Sequence, residues 1–352
     1  MFSKEIRIGS RTISETEPCY VIAEAGVNHN GSRELALSLV RKAKEIGVDC
    51  VKFQTFKADQ IVTRDAPKAD YQLKLTPQAE SQYDMLKALE LELEDYEAIV
   101  DLCNELDIQF LSTPYSKSDV DFLNGLNVDG FKIASGQIIE LDFLRYVAAT
   151  GKPIILSTGM ATLAEIDEAA KAIRDCGNDK LIVLQCTTNY PSSEEEANLL
   201  AMNRIGKMLE VLVGYSDHIP DNYTCYASVA LGARVVEKHF TLDNDMPGPD
   251  HKASLNPEKF QELVEGIRKV EASLGNGVKI PTSIELSNAR NMRRSIVLNK
   301  DLKAGDILTA DDLIMKRPAT GMPPKMLDRV IGLKLIEDLS ENTQLHERHL
   351  EW

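Results

Sequence analysis

From about residue 18 to residue 275, short runs of β-branched and aromatic residues alternate with amphipathic stretches, and the alternation repeats eight times. The runs predict strands over Tyr20–Ala25, Cys50–Thr55, Gln109–Thr113, Gly130–Ala134, Pro153–Thr158, Leu181–Thr187, Val211–Ser216 and Arg234–Phe240. The helices between them follow from spacing. Leu35, Leu39, Ala43 and Ile46 share one face, with Ser32 at the N-cap position and Gly47 as the stop. Thr162 and Glu165 have capping-box spacing ahead of Ile166, Ala169, Ala170 and Ile173. Asn256-Pro257 opens a last helix whose Phe260, Leu263, Val264, Ile267 and Leu274 form the stripe to be buried, closed by Gly275.

Eight strand–helix pairs in about 250 residues predict an α/β fold of the closed (β/α)₈, or TIM-barrel, type over residues 1–275. An open doubly wound sheet would open on a Gly-rich first turn, and the first turn here is AGVNHNGS. The stretch Lys57–Glu94 is longer than a βα loop needs and follows the C-terminal end of strand two, where lids arise; a plain helical insertion is the alternative. Past Gly275 the rhythm stops. Residues 276–291 read as a linker, and residues 292–352 as a small β-rich module. DLKAGDILTADDL from Asp301 and DLSENTQLHERHL from Asp338 share Asp-Leu and two later leucines in one register, which suggests pseudo-twofold symmetry.

Composition narrows the function. The 352 residues are 43% apolar and 27% charged, an ordinary globular mixture, and the formal charge of −15 repels nucleic acid and anionic lipid. No window approaches the roughly 18 apolar residues of a membrane span. Six cysteines lie scattered without a CxxC pair, and the N-terminus lacks the apolar core of a signal peptide, so a cytoplasmic protein is expected.

In a barrel the chemistry gathers at the C-terminal strand ends. There the sequence places Glu24, Lys52 and Gln54, Thr113, then Lys132, Ser135 and Gln137, Ser157, and finally His218, Glu237 and His239. Lys52 and Lys132 sit between apolar neighbours whose alternation turns Val51, Phe53, Phe131 and Ile133 toward the helices and the lysines inward. An ammonium in a barrel needs an anion. An internal pair with Glu24 or Glu237 would satisfy it, and so would a phosphate and carboxylate site helped by the hydroxyls of Thr113, Ser135 and Ser157. His218 and His239 end adjacent strands, within reach of one ion. Two imidazoles with oxygen ligands suit a divalent cation such as Mn²⁺, although two core histidines read equally well, and Cys186 is a further nearby donor. A Schiff-base aldolase using Lys52 or Lys132 as nucleophile is another reading.

In order along the chain, AEAGVNHNG, VKFQTFKAD, APKADYQLK with ESQ, FLSTPYS, FKIASG, ILSTGMA, CTTNYP, GYSDH, VEKHFTLD, GPDHKASL and KRPATG resemble the sialic acid synthases, which include N-acetylneuraminate, legionaminate and pseudaminate synthases. The resemblance covers nearly the whole chain. It implies a TIM barrel followed by an antifreeze-like (SAF) domain, and condensation of phosphoenolpyruvate with an open-chain N-acylated hexosamine to a nine-carbon 2-keto acid, with release of phosphate. By motif it implies a phosphoenolpyruvate site of Lys52, Thr113, Lys132, Ser135, Ser157, Thr188 and Ser216. His218 and His239 would hold Mn²⁺ or Mg²⁺. Glu24, Gln54, Tyr190 and Asp250 would face the sugar, together with Arg317 supplied by a partner subunit. A homodimer with exchanged C-terminal modules is therefore expected, and a flexible linker of about 15 residues spans roughly 20 Å.

One departure stands out. The family usually has a carboxylate after the Ser-Gly of strand four, where this chain has Gln137, and an amide cannot accept a proton at neutral pH. Glu24 or Asp250 would then cover the step, or the chain is a non-catalytic barrel that binds a phosphorylated sugar and uses its C-terminal module for recognition. The lid residue that meets the sugar has no secure counterpart; Tyr71 and Gln72 are the candidates.

Overall fold

The computed structural model describes residues 1–69, 73 and 80–352. It opens with an antiparallel hairpin, β1 (Glu5–Ile8) and β2 (Arg11–Ser14), which lies outside the repeat read from the sequence. Eight strands follow: β3 (Tyr20–Gly26), β4 (Cys50–Thr55), β5 (Gln109–Pro114), β6 (Phe131–Ile133), β7 (Ile154–Ser157), β8 (Leu181–Cys186), β9 (Leu212–Asp217) and β10 (Val235–His239). They form one sheet in the order β5-β4-β3-β10-β9-β8-β7-β6, with every ladder parallel. β5 and β6 pack side by side without a ladder pair among the described residues, so the barrel is nearly closed.

Alternation along each strand builds two cores. Inward-facing Tyr20, Ile22, Cys50, Leu111, Ile155, Ile182, Leu184, Leu212 and Val235 form one cluster with Ile6, Ile8 and Ile13 of the hairpin, which plugs the N-terminal end of the barrel. Outward-facing Val21, Val51, Phe53, Phe131, Ile133 and Val236 pack against helix residues such as Leu39, Ala169, Phe260 and Ile267. Each fully buried Leu, Ile or Phe there contributes about 1.5–3 kcal/mol. The helices start and stop as their spacing predicts. Ser32 accepts the Leu35 N–H at the start of Arg33–Ile46, which ends at Gly47 with φ 84°. Thr162 and Glu165 close a reciprocal box on Leu163–Asp175. Asn256 accepts the Lys259 N–H ahead of Pro257–Leu274.

The insertion after β4 contains helices Ala58–Ile61 and Gln82–Ala88, and Met85 and Leu89 join Val27 and Phe56 in a small apolar cluster beside the strand ends. Tyr71 and Gln72 lie outside the described residues.

The chain divides into two compact units, Met1–Gly275 and Asn276–Trp352. The segment expected to be a linker is partly helical: Ser283–Met292 forms a helix boxed by Thr282 and Glu285. In the second unit β11 (Ser295–Leu298) pairs antiparallel with β12 (Leu313–Lys316), and β13 (Lys334–Leu335) with β14 (Leu350–Glu351), around Ile296, Leu298, Leu308, Val330, Leu335 and Leu345. The two halves of the repeated motif meet: the Leu302 N–H donates to the Leu339 carbonyl and the Leu339 N–H to that of Leu302, each at 2.9 Å. Among the described residues no helix is long and apolar enough to cross a membrane.

Candidate active site

Two residues above the apolar floor, the inward positions turn polar and open into a cavity of about 450 Å³. Register sets the depth of each group. Glu24 lies opposite Lys52 on β4 and His239 on β10, whereas Glu237 pairs with Ile22, one inward position deeper than His239. Lys52 meets Glu24 at 2.5 Å and the Thr113 hydroxyl at 3.3 Å. Glu237 accepts from Lys132 at 3.2 Å and Ser216 at 3.2 Å, and lies 3.8 Å from Lys52. The lysines therefore have internal carboxylate partners and also line the cavity.

These charges are held by their partners against the cost of burial. Burial pushes the Glu24 carboxyl above its ordinary range; Lys52 opposes that push, and Glu237 adds to it. Glu237 goes the other way, because Lys132 and Lys52 together outweigh its burial. Lys52 loses by burial but gains more from Glu237 and Glu24, so it is kept an ammonium, the wrong form for a Schiff-base nucleophile.

Around the floor stand hydroxyls and amides. Ser135 accepts the Gly159 N–H at 2.9 Å, and the Ser157 hydroxyl is buried without a partner. Thr188 also lines the wall; a Cβ added at Gly159 would come within 2.1 Å of its hydroxyl, so the strand-seven turn needs glycine to seat both side chains. Gln54 donates to Glu24 at 3.1 Å and accepts from the Tyr115 hydroxyl at 3.3 Å. Gln137 reaches the Tyr115 carbonyl at 3.5 Å, and its amide oxygen is buried without a donor.

The upper part of the cavity holds the two imidazoles. The ring centroids of His218 and His239 are 5.4 Å apart, and Tyr190 stacks beside them at 4.0 and 5.6 Å. His218 Nδ1–H donates to the Thr187 carbonyl at 2.6 Å, which fixes its tautomer. Burial, joined by His218 and the lysines, pushes His239 well below its usual value, so it stays a neutral imidazole. Its Nδ1 is buried without a hydrogen bond, 4.0 Å from Asp250. Burial, with Glu24 adding, raises Asp250 to about 6.

Among the described residues no three His, Cys, Asp or Glu side chains form a ready-made metal cluster. A neutral imidazole with an orphaned nitrogen, a second imidazole and a nearby carboxylate fit a divalent cation that takes its remaining ligands from water or substrate, provided that the cation displaces the proton which, against burial, Cys186 and the Thr187 carbonyl favour on His218. Burial raises the Cys186 thiol, but His218 and Lys132 outweigh it and bring it below its ordinary value.

The first unit thus gathers Glu24, Lys52, Gln54, Thr113, Lys132, Ser135, Gln137, Ser157, Thr188, Tyr190, Ser216, His218, His239 and Asp250 around one cavity. Arg317 is not among them; it lies exposed in the second unit, just past β12. The sequence placed Glu237 at the strand ends and offered it as an ion-pair partner but assigned it no role in the site, although its parity with His239 on β10 marks it as a site residue. It missed Tyr115, two residues beyond Thr113, and the apolar wall of Ile61, Val62, Met85, Leu86 and Leu89, which carries no polar signal.

The NeuB family matches residues 39–279, and the SAF domain matches residues 293–351. The N,N'-diacetyllegionaminic acid synthase of Legionella pneumophila is 44% identical over 95% of this chain and 95% of its own. That of Campylobacter jejuni is 43% identical over 93% and 98%. Among solved structures, an N-acetylneuraminic acid synthetase from Leptospira borgpetersenii, in complex with citrate, aligns with a TM-score of 0.72 at 28% identity, over 82% of this chain and 95% of that one.

Proposed function

The chain belongs to the NeuB family, and from that premise we propose that it condenses phosphoenolpyruvate with an open-chain N-acylated hexosamine, N-acetylmannosamine or a close analogue, to a nine-carbon 2-keto sugar acid. In this reaction C3 of phosphoenolpyruvate bonds to the sugar's aldehyde carbon, water adds at C2, and the C–O bond to phosphate breaks. The observation that carries the reading is the gathering of Lys52, Lys132, three hydroxyls and two histidines around one cavity.

Lys52 and Lys132 hold the phosphate and carboxylate of the smaller substrate, and Thr113, Ser135, Ser157, Thr188 and Ser216 donate to its oxygens. Gln54 and Tyr190 orient the sugar. Gln137 orients the incoming water by its amide but cannot take a proton. Glu24 and Asp250, both held above the ordinary carboxylate range, carry the proton instead. His218 and His239 are the residues to hold Mn²⁺ or Mg²⁺, which when bound supplies Lewis-acid polarisation of the aldehyde oxygen. Arg317 is assigned to the sugar end of a partner subunit's cavity in a module-exchanged homodimer. The net negative charge is carried by residues 1–275, whereas the second unit is close to neutral and holds Arg290, Arg293 and Arg294 as well as Arg317.

The apolar wall from the β4 insertion favours a hexosamine that presents acyl or deoxy carbons there, as a diacylated analogue does. Phosphate release from phosphoenolpyruvate, measured with Mn²⁺ and either N-acetylmannosamine or its diacylated analogue, tests the reading. Sugar-dependent release supports it. Tight binding of both compounds without release would leave the non-catalytic barrel.

A further inference from the structure

Lys238 has the wrong parity for the cavity. It lies between Glu237 and His239, so it points into the outer layer, where its register neighbours Val236 and Phe240 pack among apolar side chains. It is 1% exposed there, and its ammonium meets Asp217 at 2.5 Å. An ion pair taken out of water in such a layer gives up hydration that two apolar residues would not, so stability alone does not account for it.

Its other two partners say more. The ammonium also donates to the Ile219 carbonyl, and to the Asp221 carbonyl at 2.6 Å, so all three of its acceptors lie between residues 217 and 221. Asp217 in turn accepts from the Tyr215 hydroxyl at 3.0 Å, the Ile219 N–H at 3.1 Å, the Thr224 hydroxyl at 3.1 Å and the Cys225 thiol at 3.1 Å. The loop leaving β9 is wrapped around one buried cation, and His218 is its cavity-facing residue. His218 does not touch the pair. Its place depends on the backbone on either side of it, which the pair fixes at Asp217 and Ile219.

We propose that Lys238 and Asp217 are positioning residues for His218, holding its imidazole opposite His239 and so tuning the upper, sugar-facing half of the cavity rather than the anion floor. The inference rests on the assignment of His218 to the divalent cation.

The test uses the full chain and Mn²⁺ titration followed by electron paramagnetic resonance without substrates, with steady-state kinetics beside it. Lys238→Met with Asp217→Asn removes both charges and leaves none unpaired; the single Asp217→Asn variant serves if the pair does not fold. The expected result is Mn²⁺ affinity weakened about ten- to a hundred-fold. The KM for the amino sugar should rise while that for phosphoenolpyruvate holds. Wild-type Mn²⁺ affinity and an unchanged sugar KM, in a variant for which His218→Ala abolishes binding, would overturn the positioning role. If His218→Ala binds Mn²⁺ like wild type, the metal assignment is what fails. The sugar KM of the double variant then decides the inference alone: raised, it stands; unchanged, it falls.

Discussion

Glu24 and Lys52 face each other across the β3–β4 ladder and close an ion pair of 2.5 Å in which each side chain is 3% exposed. Such a pair is strongly coupled to whatever anion arrives beside it. A phosphate that takes over Lys52 leaves Glu24 buried without its counter-charge, and the carboxyl, already raised by burial, moves further toward its protonated form. On the proposed reading, anion binding and proton uptake would be joined at one ladder position.

Lys132 gives the sharpest separation between the two substrates. Its ammonium faces Glu237 at 3.2 Å at the cavity floor. Lys132→Met should raise the KM for phosphoenolpyruvate far more than that for the sugar. Equal rises in initial-rate kinetics would point to lost folding instead.

For the metal reading, His239→Ala is the direct probe. Two imidazoles leave no spare protein nitrogen, so metal retention and activity should fall together. A variant that binds Mn²⁺ as tightly as wild type in equilibrium dialysis would refute the assignment.

At Gln137 the question is whether the amide disables the site. General acid–base catalysis contributes roughly 10²–10⁴-fold, so Gln137→Glu should raise turnover by orders of magnitude if it does. With Glu24 and Asp250 both raised and both lining the cavity, we expect an unchanged or lower rate. A large gain in kcat would contradict that.

Acid sensitivity has a defined source at His29, which burial pushes down to about 4 and whose Nδ1 accepts the Gly31 N–H at 3.1 Å. An unfolded histidine takes up its proton near pH 6.5. The neutral folded imidazole therefore contributes stability that is fully present above pH 6.5 and is lost as the pH falls toward 4, about 3 kcal/mol in all. His29→Asn keeps an acceptor for Gly31 and should flatten this part of the stability profile in urea titrations. A parallel profile would remove His29 as the cause.

Subunit exchange tests Arg317. An equal mixture of Arg317→Ala and His239→Ala chains should recover up to about a quarter of wild-type activity, since half the dimers then hold one intact composite site. No recovery after verified exchange, or a fully active monomer in sedimentation, would defeat the exchanged module.

Much of this was legible in the chain. Strand parity alone sent Lys52 and Lys132 inward, and the eight-fold repeat placed their strands in one barrel with β5 between them. The helix Ser283–Met292 escaped because a periodicity reading needs a buried stripe, and none of its residues is buried; Thr282 and Glu285 alone mark its start. The apolar wall escaped for the opposite reason, since Met85 and Leu86 look like ordinary core until Phe56 and Tyr115 are seen packed against them. Glu237 was visible but underweighted, because a carboxylate among lysines reads as a counter-ion before it reads as part of a binding floor.

The hairpin plug has a kinetic consequence. With Ile6, Ile8 and Ile13 filling the barrel from below, the cavity is a blind well whose floor carries Glu237, one inward position deeper than His239, and its partner Lys132. A well of that kind loads like a stack: whatever belongs to the floor goes in first, and whatever sits above traps it. On the proposed reaction, the three isoleucines, which line neither substrate's place, would impose an order on binding, the anion before the sugar.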